Sequence, residues 1–454
     1  MIVIRDPRFP DVPGPEHTAS PVTPVTGYRR SSLPEQPVSE HVLDPAGVAR
    51  EPLAGEVALD PATGRPAGRA QALVLLLSSC LAVLGAVLLA PVLPRIQDAF
   101  AGTPGVETLT PVVLTAPALV IGLTAMVAGR IVDRVGRKRL LVGALVVYAF
   151  VGTAPLWLPS LQLIVASRVL LGLTEAAIMT CCTTLLADYF HGSQRERYLG
   201  LQVVCTTVAA TLFFGLGGAL GAQDWRTPFW LYAVGLPLAL LAARYVWQPA
   251  PQARARTTEL PPLPWRQLAA PVGVTLLGGL VFYVLIVQLS FVLDGIGVRS
   301  TATIGAASAI ASLGTAIGAF CFGRLATLGP AVTVPLAFGL SGVGIVGMGL
   351  AATVPLVIAS AVVTGLGNGL LLPSLLTWAL GSLGFEQRGR GTGVWTSALF
   401  IGQFVCPLVV LALSGAVDGL GPALVVVGAV AVAAAAGVRS LRPVRTVEPA
   451  PAAH

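Results

Sequence analysis

Apolar stretches of about twenty residues recur along most of this 454-residue chain, and they decide what it can fold into. About 20 such residues carry an α-helix across the hydrocarbon core of a bilayer. Charged residues make up only 11% of the sequence and hydrophobic residues 55%, where a soluble domain carries about a quarter charged. Mean hydropathy is +0.81. The class that follows is an all-α polytopic membrane protein. Twelve transmembrane helices are expected, near 70–93, 109–129, 139–158, 162–187, 198–220, 227–247, 267–291, 303–324, 331–351, 354–380, 391–413 and 420–438. Pro91, Pro94, Pro159 and Pro330 punctuate their ends. Gly and Pro within a span are tolerated because neighbouring helices re-satisfy the backbone.

The first 68 residues differ in kind. They hold twelve of the 36 prolines, mixed acids and arginines, and no long apolar run. Such composition is expected to give a disordered tail, and it lacks the apolar core of a secretory signal. The six cysteines, Cys80, Cys181, Cys182, Cys205, Cys321 and Cys406, all fall in apolar runs. They read as small buried hydrophobes and not as a disulfide framework. His17, His41, His191 and His454 sit in tails or a loop, so no metal site and no cofactor are expected.

The net charge of +7 points to topology and not to nucleic acid. Loops on the cytoplasmic side of a membrane protein are enriched in Lys and Arg. One alternate set of loops holds only Arg95, Arg226 and Arg299; the opposite set and the C-terminal tail hold seventeen basic residues, and the N-terminal segment through Arg69 seven more. Both termini are therefore expected to be cytoplasmic, in a multi-pass protein of the plasma (inner) membrane. The densest basic segment, GRIVDRVGRKRL at Gly129–Leu140, becomes a short cytoplasmic loop between spans 2 and 3.

The chain also repeats itself. Gly172 opens GLTEA and Gly365 opens GLGNG, 193 residues later; QRERYLG at Gln194–Gly200 matches QRGRGTG at Gln387–Gly393 with the same offset. Gly129-Arg130 echoes Gly323-Arg324 more weakly. Span 4 thus corresponds to span 10, and two pseudo-symmetric six-helix bundles follow. Parallel halves of this kind surround a central site in one class of secondary transporters. The expected organisation is a cytoplasmic tail at 1–68, a first bundle at 69–247, a cytoplasmic linker at 248–266, a second bundle at 267–438 and a cytoplasmic tail at 439–454.

At residues 70–440 the sequence resembles the major facilitator superfamily, and in particular its bacterial drug and metabolite efflux branch. Gly129, Asp133, Arg134, Gly136, Arg137 and Lys138 match that family's motif between helices 2 and 3. Arg168 and Gly172 resemble its Arg-x-x-x-Gly element, DWRTPFW at Asp224–Trp230 its helix 5 ending, and GLGNGLLLP at Gly365–Pro373 its helix 10. The antiporters of the family carry Gly-Pro before a Gly-Gly in helix 5; here Phe213-Phe214 stands before Gly217-Gly218. The resemblance implies that the 2–3 motif is a cytoplasmic gate, with Asp133 facing the start of helix 11. A carboxylate is favoured at the positive N-terminal end of a helix. Gly129 and Gly136 would permit close backbone approach. The alternative is a plain topology signal.

Two ionisable residues lie deep in a span, Arg168 and Glu175, both in span 4. Buried charge in a membrane usually faces a cavity or a partner. Seven residues apart, they stand about 10.5 Å from each other along the helix and nearly on one face. A carboxyl poised between burial and a nearby cation can load and release a proton, so Glu175 is a candidate proton carrier; for Arg168 the resemblance implies a role in coupling or gating. The alternatives are a neutral or substrate-contacting Glu175 and an Arg168 that bridges backbone carbonyls. Gln202, Tyr283, Gln288, Asn368, Trp378, Trp395 and Gln403 are candidates for the substrate cavity, or for interhelical hydrogen bonding.

The expected function is secondary active transport of a small, amphipathic organic molecule by alternating access, as proton-coupled efflux. Uptake by proton symport or facilitated diffusion is the alternative that the missing Gly-Pro pair keeps open. The expected partners are the lipid bilayer, the substrate and protons, with no nucleic acid and a monomeric chain. No Walker-type loop is present to support ATP-driven pumping. No span contains a histidine, and the lone buried Glu175 offers no paired acid and base, so an enzyme is not expected.

Overall fold

The computed structural model describes residues 64, 66–249, 261–381 and 383–440, excepting the side chains of Arg130, Asp133 and Phe385. Most of the tails expected at 1–68 and 439–454, and the middle of the linker at 248–266, lie outside the described residues. Among the described residues, twelve helices are long and apolar enough to cross a membrane. In chain order these spans 1 to 12 are Arg69–Ala99, Val106–Gly129, Arg137–Leu156, Leu161–Tyr189, Gly192–Gly221, Thr227–Tyr245, Trp265–Gly295, Thr301–Leu328, Pro330–Leu350, Val354–Leu380, Glu386–Ala416 and Leu420–Ser440.

All twelve expected spans are present, and the differences lie at their ends. Span 1 runs beyond Pro91 and Pro94 to Ala99. Each proline occupies the first turn of a new short helix, Ala90–Val92 and Leu93–Ala99, where its missing N–H leaves no acceptor wanting. The helix of span 2 continues through the charged segment to Val135. Gly136 then adopts φ +92°, which an L side chain rarely takes, and the helix of span 3 begins at Arg137. The expected loop is thereby reduced to one glycine. Spans 4 and 8 start at hydroxyl caps: Ser160 Oγ accepts from the Leu163 N–H at 3.4 Å and Ser300 Oγ from Thr303 at 3.3 Å.

Helix pairing follows the duplication. Spans 1 and 5, 2 and 4, and 3 and 6 pack together in the first half; spans 7 and 11, 8 and 10, and 9 and 12 do so in the second. The repeated glycines lie at equivalent crossings. Gly172 of span 4 meets Pro117 of span 2, and Gly365 of span 10 meets Ala311 and Thr315 of span 8. Lipid supplies no hydrophobic force between helices, so association relies on such close packing of small residues. The halves meet along two seams, span 2 with span 11 and span 5 with span 8. In the 5–8 seam, Gly218 and Gly305 bring the backbones into direct contact.

The two ends of the molecule differ. At the sparsely charged end, Arg95 donates to the carbonyl of Arg299 at 3.1 Å, and the Thr301 hydroxyl to the carbonyl of Gly218 at 3.0 Å. Both bonds join the halves. At the basic end, each half secures its own connections. Arg137 forms an ion pair with Asp188 at the end of span 4. The Tyr189 hydroxyl accepts from the Trp247 N–H at 2.9 Å and donates to its carbonyl at 2.5 Å. In the second half, Gln387 donates to the carbonyl of Pro262 at 2.7 Å and Arg390 to that of Pro261.

A side chain at Gly218 would occupy the place of the Thr301 carbonyl and the Gly305 backbone. Gly218→Val is therefore expected to part the 5–8 seam and lower stability by about 1–3 kcal/mol, the usual range for overpacking. Thermal unfolding of the purified protein in detergent measures this, and Gly215→Val, which faces open space, is the matched control.

Candidate functional site

Between the two halves lies a cavity of about 610 Å³, walled by residues of spans 1, 2, 4, 5, 7, 8, 10 and 11. That volume suits a small organic ligand. Spans 3, 6, 9 and 12 contribute no wall. On the sparsely charged side, the Tyr283 hydroxyl donates to the carbonyl of Ala86 at 3.3 Å, joining span 7 to span 1. Towards the basic end the cavity reaches Val203 of span 5 and Phe322 of span 8. Its walls are mostly apolar and aromatic, with Phe214, Phe282 and Phe400 among them. Glu175 is the one charged type among the described wall residues, which include no Lys or Arg.

Glu175 is almost wholly buried, and its Oε1 has no hydrogen-bond partner among the described residues. Room for the carboxyl comes from span 1. A Cβ on Gly85 would coincide with Glu175 Oε1 and crowd its Cδ. The carboxyl thus lies in a notch that a single missing methyl creates, at the edge of the cavity.

Arg168, although seven residues away on the same helix, belongs to a different environment. It is 1% exposed and is not a cavity wall. Its Nη2 donates to the carbonyls of Val151 at 3.2 Å and Gly152 at 3.0 Å, in the last turn of the span 3 helix. Carbonyls there lack full helical partners, and a cation is favoured at a helix C-terminus. The guanidinium carbon stands 5.1 Å from the ring centre of Tyr232 and 5.3 Å from that of Phe229, within cation–π range. Gly152 lets the Tyr232 ring pack against span 3. Arg168 Nη1 and the Tyr232 hydroxyl have no partner among the described residues.

The cavity brings together four of the sequence candidates, Glu175, Tyr283, Asn368 and Gln403. Asn368 is held on both sides, accepting from the Ser341 hydroxyl at 3.0 Å and donating to the carbonyl of Phe282 at 3.0 Å. Tyr283 is held by Ala86. Glu175 and Gln403 make no hydrogen bond to described residues, although both belong to the cavity wall. Gln202 is not a wall: its Nε2 donates to Ser79 Oγ at 2.8 Å and Thr183 Oγ1 at 3.1 Å, tying span 5 to spans 1 and 4. Gln288 is buried away from the cavity, and Trp378 and Trp395 pack against the core.

Several residues of the site escaped the search for polar and aromatic side chains. Span 5 presents Val203, Thr206, Thr207, Ala210 and Phe214, a stripe at helical spacing that a periodicity count could have found. Gly85, which houses the carboxyl, and the wall residue Met179 gave no signal at all. In the basic motif, Arg134 is exposed, Gly129 borders open space and the Lys138 N–H donates to Gln248 Oε1 at 3.1 Å. Gly136 borders the same Gln248 side chain. Asp188, the partner of Arg137, was absent from the sequence candidates. The side chain of Asp133 lies outside the described residues.

Comparison with known proteins agrees with this geometry. The chain is 30% identical over 228 residues to the tetracycline resistance protein, class C, of Escherichia coli, covering 48% of this chain and 55% of that one. It is 33% identical over 133 residues to the multidrug efflux pump LfrA of Mycolicibacterium smegmatis, covering 28% and 26%. The chain thus spans about half or less of these curated relatives. A crystal structure of a bacterial homolog to the human lysosomal transporter Spinster, inward-facing and unoccupied, superposes with a TM-score of 0.67 at 16% identity, covering 83% of this chain and 97% of that one. At that identity the likeness speaks for the fold. The model of the Major Facilitator Superfamily matches residues 75–301 and 272–454. With twelve spans, duplicated bundles and a cavity between them, the chain belongs to the Major Facilitator Superfamily.

Proposed function

We propose that this protein is a secondary transporter that exports a small amphipathic organic molecule across the plasma membrane in exchange for protons. The observation that carries the reading is the cavity between the bundles, apolar and aromatic, with a single buried carboxyl whose Oε1 is unpartnered among the described residues. Glu175 loads and releases the proton, Gln403 offers a neutral polar contact, and the phenylalanines take up the apolar body of the substrate. The basic end is cytoplasmic by the distribution of Lys and Arg, so this conformation is closed outwards by the Arg95–Arg299 and Thr301–Gly218 bonds. Arg168 holds the outer end of span 3 against span 4 and acts on coupling through position. The basic motif is the cytoplasmic gate, with Asp133 engaging span 11 when the cavity opens outwards and the Arg137–Asp188 pair keeping the gate helix fixed to span 4.

Phe213-Phe214 in place of the antiporter Gly-Pro pair supports a second reading, uptake by symport or facilitated diffusion. Transport of a compound panel in inverted vesicles, with and without an imposed pH gradient, separates the two. Export predicts accumulation inside inverted vesicles that rises when their interior is made acidic; uptake predicts loss from preloaded vesicles.

Glu175→Gln keeps the shape of the protonated side chain. It is expected to abolish pH-driven accumulation and to retain substrate exchange, because exchange moves no net proton. Gradient dependence equal to the wild type would exclude Glu175 as carrier. Gly85→Ala is expected to displace the carboxyl and to lower stability by about 1–3 kcal/mol. In a double-mutant cycle, most of that loss disappears when Glu175→Ala is also present; an additive result would show that the notch does not serve the carboxyl. Asp133→Asn is expected to shift the inward and outward populations, since a few kcal/mol suffices to invert a two-state balance. Cysteine accessibility from each side of the membrane reads this shift.

A further inference from the structure

A second cavity lies on the outside of the first bundle, away from the central one. It is a groove of about 310 Å³ between spans 3 and 4, roofed at the basic end by Val135. Arg139, Gly143 and Val147, each four residues apart, form one wall along span 3. Leu173 and Ala177 of span 4 form the other, and Ala144 and Thr174 are buried in the floor. Five of the lining residues, Val135, Arg139, Gly143, Val147 and Leu173, are exposed. From Arg139 to Val147 the groove runs eight residues, about 12 Å of helix. One leaflet of hydrocarbon is about 15 Å deep. The groove therefore starts at the membrane interface and ends near the bilayer centre.

Its apolar length opens beside exposed basic residues. Arg139 lines the mouth and is exposed; Arg134, also exposed, and Lys138 are the sequence neighbours of the lining residues Val135 and Arg139. No hydrogen bond or ion pair engages these three side chains among the described residues, whereas neighbouring Arg137 has Asp188. An apolar groove of one leaflet's depth with Arg139 at its mouth, and two further basic residues next to its lining in sequence, is complementary to one class of molecule. We infer that the groove between spans 3 and 4 is a binding site for an anionic phospholipid, with one acyl chain along Gly143 and the phosphate at Arg139.

The site bears on the central cavity through span 4. Leu173 and Ala177 flank Glu175 in sequence, and Thr174 precedes it, so the helix that walls the groove carries the carboxyl on its other side. A lipid seated in the groove packs against span 4 at the level of Glu175. The inference itself does not depend on Glu175 carrying a proton.

The test uses the full chain in nanodiscs of phosphatidylcholine containing a minor fraction of phosphatidylglycerol with a photoactivatable acyl chain. Crosslinks are mapped by mass spectrometry, and the same probe chain on phosphatidylcholine is run in parallel. The phosphatidylglycerol probe is expected to label residues 139–147 and 173–177 in preference to the phosphatidylcholine probe. A Cβ on Gly143 meets no atom within 4 Å, so Gly143→Leu fills the groove without pressing on the protein and is expected to reduce this labelling at least tenfold. Gly437→Leu, also facing open space at the basic end, should leave it unchanged. Arg139→Gln is expected to lower phosphatidylglycerol labelling about fivefold, the factor for one lost contact between a basic side chain and an anionic lipid, and to spare phosphatidylcholine labelling. Equal labelling by both probes in the wild type overturns the inference, as does wild-type labelling of Gly143→Leu. If Gly143→Leu fails to fold, the exposed Arg139 decides: undiminished preference in Arg139→Gln overturns the proposal equally.

Discussion

Close approach of helix backbones is the interaction on which this structure depends. A bilayer satisfies no N–H or C=O group and offers apolar side chains nothing that another helix offers better. Each span is therefore self-sufficient as a helix, and the spans are held to one another by fit. The fit is made at glycines. Gly172, Gly218, Gly305, Gly365 and Gly369 all stand where a Cβ would strike the backbone of a neighbouring span. With these crossings in place, spans 3, 6, 9 and 12 stay outside and the other eight surround the cavity.

Within that frame, polar groups divide into those that join helices and those left facing the cavity. Gln202, Asn368 and Tyr283 are each bonded across a helix boundary. Arg168 is bonded to the end of span 3 and flanked by two aromatic rings. Glu175 has neither kind of support among the described residues. The same helix therefore carries one charge built into the scaffold and another buried at the edge of the cavity. That separation arises because side chains of different length on one helical face reach different neighbours: Arg168 extends to span 3, while the shorter Glu175 stops against Gly85 of span 1.

The spans and the duplication could be read directly from the sequence. Apolar runs of bilayer length, recurring twelve times, fit little except membrane-spanning helices, and the repeated Gly172 and Gly365 serve equivalent crossings. Ends were less legible. Pro91 and Pro94 look like stops in sequence but begin new turns, and the charged residues after Gly129 look like a loop but extend a helix to Val135. The site was legible where a residue is conspicuous against its surroundings, as Glu175 is in span 4. It was illegible where the geometry rests on something missing, as at Gly85, or on which side of a helix a residue faces. Gln202 and Gln403 look alike in sequence, each an amide within an apolar run; only packing sends one to Ser79 and leaves the other at the cavity.

The two halves share their crossings but not their unmatched polarity. Among the described residues, the buried side-chain atoms without partners in the first half include Arg168 Nη1, Glu175 Oε1 and the Tyr232 hydroxyl, on spans 4 and 6. In the second half they are confined to Arg390, Trp395 and Ser397, at the start of span 11. Among the described residues the two fully buried charges, Arg168 and Glu175, both lie in the first copy. The second copy has Asn368 at the position that the 193-residue offset sets against Glu175, tied to Ser341 and Phe282, and it adds no charged residue to the described cavity wall. The duplicated crossings restrict residue size in both copies, whereas the charge on the described cavity wall belongs to the first copy alone.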